Sequence, residues 1–129
     1  MSTPNPPPLE PRLLLVACLC ARWCNVCGDY ETPFAQAIAR FGAQVQPRWL
    51  DIEDEAGLLD GVDVENFPTL LIARDDALLF FGTVTPHAQT LVRLVASALA
   101  GDLRRIDTEP PATTLARRLI SESHREPRG

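Results

Sequence analysis

The chain has 129 residues, 46% hydrophobic and 22% charged, which is the balance of a soluble globular protein with a single core. Its formal net charge of −5 disfavours nucleic acid as a partner. Nowhere does the sequence contain a run of about 18 apolar residues, so we expect no membrane-spanning helix and no membrane partner.

Residues 1–11 are rich in proline and predict an extended arm. The apolar run that follows, Leu13–Ala17, is shorter than the hydrophobic region of a signal peptide, so we expect a cytoplasmic protein. In a reducing cytosol, four cysteines between positions 18 and 27 indicate redox or metal chemistry rather than structural disulfides.

The first predicted element is a strand within residues 12–20, where a nearly continuous apolar run is typical of burial on both faces. Apolar residues at spacings of four, four and three then predict a helix between Val26 and Gly42, which Pro33 should start or bend. These apolar positions are Tyr30, Phe34, Ile38 and Phe41.

A second strand is predicted at 44–52, followed by a short acidic helix at 53–61. Two strands at 68–73 and 77–82 form a hairpin around Asp75–Asp76. The last helix of the domain should be capped by Thr85, with Pro86 at its first position, and end at Gly101.

The predicted order is β-α-β-α-β-β-α, an α/β fold. The helix between the first two strands implies a parallel crossover, and the hairpin implies an antiparallel pair. We therefore expect a four-stranded mixed sheet flanked by helices, in three layers. The predicted organisation is an arm at 1–11, a domain at 12–101 and a C-terminal extension at 102–129, with a possible helix at 112–121 and a frayed tail.

The cysteine cluster allows two interpretations. A closed zinc site needs four ligands, usually as two separated pairs, and only one CxxC pair occurs, at Cys24 and Cys27. A CxxC between a buried strand and a helix favours redox exchange instead. The first sulfur then lies at the positive end of the helix dipole, which stabilises a thiolate, and the second lies one turn further in. We favour redox exchange and expect no metal.

Two motifs resemble the thioredoxin family. The sequence "RWCNVC" is similar to the family's W-C-x-x-C motif, and "FPT" at 67–69 is similar to its X-cisPro-Thr loop. Pro68 follows Cys24 by 44 positions, the separation familiar from thioredoxins, and Gly82 also stands where the family has a glycine. The resemblance covers about residues 12–100 and implies a thioredoxin-like fold.

The resemblance also implies roles for the matching residues. Cys24 would attack a substrate disulfide and Cys27 would resolve the mixed disulfide, so that the redox-active Cys24–Cys27 disulfide would serve in place of any cofactor. Trp23, Phe67, cis-Pro68 and Thr69 would form the surface that binds the substrate.

The chain departs from the family between and after the active-site cysteines. Asn25 and Val26 stand where thioredoxins have Gly-Pro, and we expect them to modulate the stability of the thiolate. Asp29 would oppose thiolate formation, whereas Arg22 could offset it.

Two further cysteines precede the motif. The family's buried acid lies six residues before its first cysteine, where this chain has Cys18, and the basic residue usually paired with that acid falls near Trp49. A buried thiol is a poor proton acceptor, so we expect slower resolution. Cys18 and Cys20 are interpreted as buried, inert strand residues. Alternatively, Cys20 forms a second disulfide or is a reserve resolving thiol.

The sequence therefore predicts a thiol–disulfide oxidoreductase that acts on protein disulfides and takes electrons from a thioredoxin-reductase-type donor. The alternative is a thioredoxin-like binding or assembly module with little redox turnover.

Overall fold

The computed structural model describes residues 14–55, 57, 59, 62, 64, 66–74, 77–106 and 110–125, with side chains in the last range from 113 to 120. The arm at 1–11, the turn at Asp75–Asp76 and the last four residues of the predicted tail lie outside the described residues. The boundaries proposed for the domain and its extension stay predictions.

The described chain forms a four-stranded mixed sheet with helices on both faces, which confirms the predicted fold class. The strand order is β2-β1-β3-β4; β1 and β2 are parallel, and the other neighbouring pairs are antiparallel. The elements are β1 (Leu14–Cys20), α1 (Asn25–Ala39), β2 (Val45–Asp51), β3 (Thr69–Arg74), β4 (Ala77–Thr83), α2 (Ala88–Leu99) and α3 (Pro110–Arg125).

Strand β1 lies inside the sheet and is buried along its whole length, as its apolar run predicts. Because side chains alternate between the two faces of a strand, β1 contributes to two cores. Leu14, Val16, Cys18 and Cys20 pack in the core shared with α1 and α2. Leu15, Ala17 and Leu19 pack in the core shared with α3.

Helix α1 begins at Asn25, directly after Cys24, and continues through Pro33. The prediction that Pro33 could start the helix is therefore wrong. Tyr30, Phe34 and Ile38 are buried, as their spacing predicts, and Phe41 is half-buried. The helix thus places its first turn at the carboxyl end of β1 while its apolar stripe covers the sheet.

Helix α2 begins later than predicted. Its N-terminal cap position is His87 and not Thr85. The His87 amide donates to the Thr85 carbonyl at 2.8 Å, and this tight turn around Pro86 delays the helix. The end is as predicted. Gly101 has φ +83°, and the amides of Asp102 and Gly101 donate to the carbonyls of Ser97 and Ala98, a Schellman motif that needs this left-handed residue.

The described residues between Ile52 and Leu59 form turns where a short acidic helix is predicted. The Glu55 amide donates to the Asp51 carbonyl, and the Leu59 amide donates to the Glu55 carbonyl, both at 3.0 Å. This segment brings carboxylates to the end of β2, close to the start of α1.

Helix α3 is longer than the segment predicted at 112–121 and belongs to the core. Leu115, Ala116 and Leu119 are completely buried and pack in the same cluster as Leu71 and Leu78 of the hairpin strands. The segment before α3 is fixed to the sheet, since the Ile106 amide donates to the Leu78 carbonyl at 2.7 Å.

Among the helices of the described residues, none has the length and apolar character of a membrane span.

Candidate functional site

Cys24 occupies the N-terminal cap position of α1 and is half-buried, with a free thiol. Its amide donates to the Ala21 carbonyl at 2.9 Å, and its carbonyl accepts from the Gly28 amide at 3.2 Å. No side-chain hydrogen bond caps the helix here. The positive end of the helix dipole therefore lies at Cys24.

The structure differs from the expected Cys24–Cys27 disulfide. Cys27 is instead bonded to Cys20, the last residue of β1. The two Cα atoms are 5.8 Å apart, a usual distance for a bridge, because α1 begins directly over the end of β1. The interpretation of Cys20 as an inert strand residue is thus wrong. Its disulfide replaces the expected Cys24–Cys27 bond and is not a second one beside it.

Cys18 is completely buried and free. Its sulfur lies 3.7 Å from that of Cys20. Since Cys20 is in a disulfide and has no proton, the Cys18 thiol is the donor of this weak hydrogen bond. Burial raises the pKa of Cys18 to about 12, so the group stays protonated at neutral pH.

Aromatic rings surround this end of β1. Trp49 on β2 is the register partner of Cys18. In the resemblance to the thioredoxin family, the basic residue that pairs with the buried acid falls near this position. The rings of Tyr30, Phe34 and Trp49 pack with centroids 5.6–6.5 Å apart. The Tyr30 hydroxyl is buried without a hydrogen-bond partner among the described residues, and burial, together with the nearby Cys18, raises the pKa of Tyr30 well above its usual range.

The residues of the expected substrate surface lie together. Trp23 is 63% exposed, and its ring packs edge-on against Phe67 at 5.6 Å between centroids. The bond between Phe67 and Pro68 is cis, as the resemblance implies. Pro68 and Thr69 are buried, and the Thr69 hydroxyl donates to the Asn66 carbonyl at 2.7 Å. An exposed aromatic face therefore adjoins the half-buried thiol of Cys24.

The two residues between the cysteines of the CxxC motif are both exposed. Asn25 and Val26 form the first positions of α1, and Val26 is 42% exposed. Val26 is thus an exposed apolar side chain two residues after Cys24. Their expected influence on the thiolate stays a prediction.

Carboxylates after β2 hold the loop before Cys24. The Trp23 indole N–H donates to Glu53 at 3.1 Å, and the Arg22 guanidinium pairs with Asp54 and Asp51. Burial would raise the pKa of Asp51, but the amides of Glu53 and Asp54 and the charge of Arg22 outweigh it and lower the pKa. Arg22 is thus engaged by two carboxylates, whereas the sequence suggested that it offsets Asp29.

The order of the strands already indicates where these carboxylates lie. They belong to a stretch interpreted only as a solvated acidic face. However, β1 and β2 are parallel neighbours, and Cys20 is the register partner of Asp51. The carboxyl ends of parallel neighbours meet at one edge of the sheet, so the residues after each strand come together.

A cavity of about 150 Å³ adjoins the Cys20–Cys27 disulfide. Its lining includes both cysteines together with Gly28, Trp49 and Asp51. A larger apolar groove of about 460 Å³ lies further along α1 and shares Trp49 with it. In the described parts of the chain, no group of three Cys, His, Asp or Glu side chains is arranged to hold a metal ion. The arrangement is one of thiols, with free space beside the buried pair.

Alkylation should reveal the cysteine pairing. We expect iodoacetamide at pH 8 to add one group to the native, oxidised protein, at Cys24, because Cys18 is buried and protonated and the other two cysteines are bonded. Denaturation without reductant should give two additions and full reduction four, as counted by mass spectrometry. A native protein that takes up no group would contradict the observed pairing, since it would place Cys24 in the disulfide.

Comparisons with known proteins address the fold. No protein-family model matches the sequence, and no curated protein matches it. Solved structures do. The thioredoxin of Trypanosoma brucei brucei is 24% identical, with 69% of this chain and 77% of that chain covered and a TM-score of 0.59. The germline-specific thioredoxin Deadhead of Drosophila melanogaster is 19% identical (67% and 81%; TM-score 0.60). Mitochondrial thioredoxin 3 of Saccharomyces cerevisiae, in its oxidised form, is 17% identical (67% and 79%; TM-score 0.58).

Proposed function

The chain has the thioredoxin fold. From this and the site we propose that the protein exchanges disulfides with protein substrates, with Cys24 as the attacking thiol and Cys27 as the resolving thiol. The observation that carries the proposal is the position of Cys24. It is a free, half-buried thiol at the start of α1, one helical turn from a cysteine that already forms a disulfide.

The reaction has two exchange steps in the fully reduced protein. The Cys24 thiolate attacks one sulfur of a substrate disulfide, forms a mixed disulfide and releases the other substrate sulfur as a thiolate. The Cys27 thiolate then attacks the Cys24 sulfur, forms the Cys24–Cys27 disulfide and releases the second substrate thiol. The substrate gains two electrons, and the protons of the two enzyme thiols pass to the products.

The surface around Cys24 suits an extended protein segment. Exposed Trp23 and Val26 give apolar contact area, and the ring of Trp23 is held in place by Phe67 and Glu53. An aromatic side chain fixed on both sides loses little conformational entropy when it binds a partner. Buried Pro68 and Thr69 support the loop that carries Phe67.

Resolution should be slower than in a thioredoxin with a buried acid. The group at that position is Cys18, whose pKa of about 12 makes it a poor proton acceptor at neutral pH. The proton of Cys27 then passes to water or to the departing thiolate.

We also propose a cytoplasmic location and a thioredoxin-reductase-type electron donor for this reaction.

One observation favours the second candidate function, a binding module with little redox turnover. Cys27 is bonded to Cys20, which leaves Cys24 without its expected partner, while the Trp23 surface is intact. The two candidates differ in whether Cys24 becomes covalently linked to a substrate.

A substrate trap tests the proposal. We expect the wild-type protein to accelerate the reduction of insulin by dithiothreitol, measured as turbidity. The variant Cys27→Ser should accumulate a mixed disulfide with insulin, which peptide mapping places at Cys24, because the resolving thiol is absent. If the wild type does not raise the rate above dithiothreitol alone and the variant traps no insulin chain, the binding-module function would replace the enzymatic one.

A further inference from the structure

The buried disulfide points to a third participant in the exchange, an inference that rests on the function proposed above. We infer that Cys20 is a third redox thiol. It attacks the Cys24–Cys27 disulfide at Cys27, so that the oxidised protein ends with a Cys20–Cys27 disulfide. The oxidised protein then keeps a free thiol at Cys24, which is the state that the structure shows.

The geometry places Cys27 between two partners. Cys20 lies below it at the end of β1, with the Cα atoms 5.8 Å apart. Cys24 lies three residues before it, at the N-terminal cap of the same helix. A CxxC step at a helix start and a Cα separation of this size both permit a disulfide. Cys27 can therefore pair with either residue through a change of its own side chain.

Space for that change exists. A partly open cavity of about 150 Å³ is lined by both Cys20 and Cys27, together with the exposed residues Arg22 and Glu31. Gly28, next to Cys27, also lines this cavity, and a Cβ added there would contact nothing within 4 Å. The side chain of Cys27 thus borders free space when it changes partner.

The exchange balances within the chain. In the Cys24–Cys27 state, the Cys20 thiolate attacks the Cys27 sulfur, the Cys20–Cys27 bond forms, and the Cys24–Cys27 bond breaks. Cys24 leaves as a thiolate and takes up the proton that Cys20 has lost. The pair of electrons stays in the protein, so the step needs no further oxidant or reductant.

The surroundings favour the inner pairing. The Cys24–Cys27 bond would include a half-buried sulfur, whereas Cys20 and Cys27 are only 1% and 2% exposed. The Cys18 thiol donates to the Cys20 sulfur at 3.7 Å and remains as a donor when the bond to Cys27 opens. A buried disulfide is protected from external thiols.

Trypsin separates the two pairings. The chain has arginine but no lysine, and cleavage after Arg12, Arg22 and Arg40 puts Cys20 on one peptide and Cys24 with Cys27 on the next. A Cys20–Cys27 bond joins the two peptides, whereas a Cys24–Cys27 bond stays within one. Fully reduced protein is oxidised with insulin, quenched and denatured at successive times, alkylated while denatured, digested and analysed by mass spectrometry.

We expect the wild type to show the bond within one peptide first and the bond between peptides at the end point, with Cys24 alkylated. Cys20→Ser should stop at the Cys24–Cys27 bond. Its oxidised form should be reduced by dithiothreitol at least about tenfold faster, because in the wild type the outer pairing is a minor population. Cys18→Ser, a buried position on the same face with a donor retained, is the matched control and should end in the wild-type linkage.

The outcomes separate the inference from the proposed function. A wild-type end point with Cys24–Cys27 bonded and Cys20 alkylated overturns the role of Cys20 and leaves the oxidoreductase intact. A Cys20→Ser variant that forms no Cys24–Cys27 bond, while the wild type ends as Cys20–Cys27, overturns the transfer route. A reduced wild type that insulin does not oxidise overturns the proposed function and this inference together.

Discussion

Replacing Cys24 with serine is expected to lower the rate of insulin reduction by at least about 100-fold, to the background of dithiothreitol alone, because a hydroxyl does not replace a thiolate as nucleophile. Cys24 is the free cysteine that reaches solvent in the native, described chain, and the other three are buried. The substitution is nearly isosteric at a half-buried position, so the fold should be kept.

The control for this variant is Gln36→Ala, an exposed position on α1 about three turns beyond Cys24, which should keep the wild-type rate. The temperature of unfolding, followed by circular dichroism, should be the same for all three proteins within a few degrees. Turnover that survives in Cys24→Ser would mean that the reduced Cys20 or Cys27 thiol attacks the substrate disulfide directly, against the role proposed for Cys24.

Truncation of α3 at its buried face should have the largest effect on stability. Leu115 is completely buried in the cluster that also holds Leu71 and Leu78, and we expect Leu115→Ala to lower the free energy of unfolding by about 2–5 kcal/mol. This is a large share of the roughly 5–15 kcal/mol that stabilises a typical domain. Urea unfolding measured by tryptophan fluorescence, with Trp49 partly buried against α1, gives the difference.

Arg117→Ala is the matched control, since this exposed residue lies on the same helix and its truncation should change the free energy by no more than about 0.5 kcal/mol. If both variants unfold at the wild-type urea concentration, α3 does not contribute to the core in solution. Equal losses in both would instead indicate an effect on helix formation, not on packing.

The site of Cys24 could be predicted from the sequence, whereas the packing of Leu115 could not. The apolar run of β1 and the periodic apolar face of α1 are local patterns, and they predicted a doubly buried strand followed by a helix. The CxxC motif between them, with the Phe67–Pro68 loop, indicated a thiol site, and the structure brings Trp23 and Phe67 together beside Cys24. Periodicity and motif spacing suffice here because each depends on neighbouring residues alone.

The start of α2 shows where local signals mislead. Thr85 and Pro86 are favourable residues for the start of a helix, but they lie in the tight turn that ends at His87, so the helix begins after them. Helix α3 shows a second kind of error. Its apolar positions predicted a helix in an extension, whereas only the second apolar face of the sheet decided that Leu115, Ala116 and Leu119 would complete a core.

The sequence by itself determined that this protein is an α/β domain with four cysteines at the junction of a buried strand and a helix. Only the tertiary structure decided which cysteines pair. Spacing along the chain makes Cys24 the obvious partner of Cys27, but a disulfide depends on distance in space. The packing of α1 over the end of β1 brings Cys20 to 5.8 Å from Cys27, so the buried strand supplies the partner and the exposed thiol stays free.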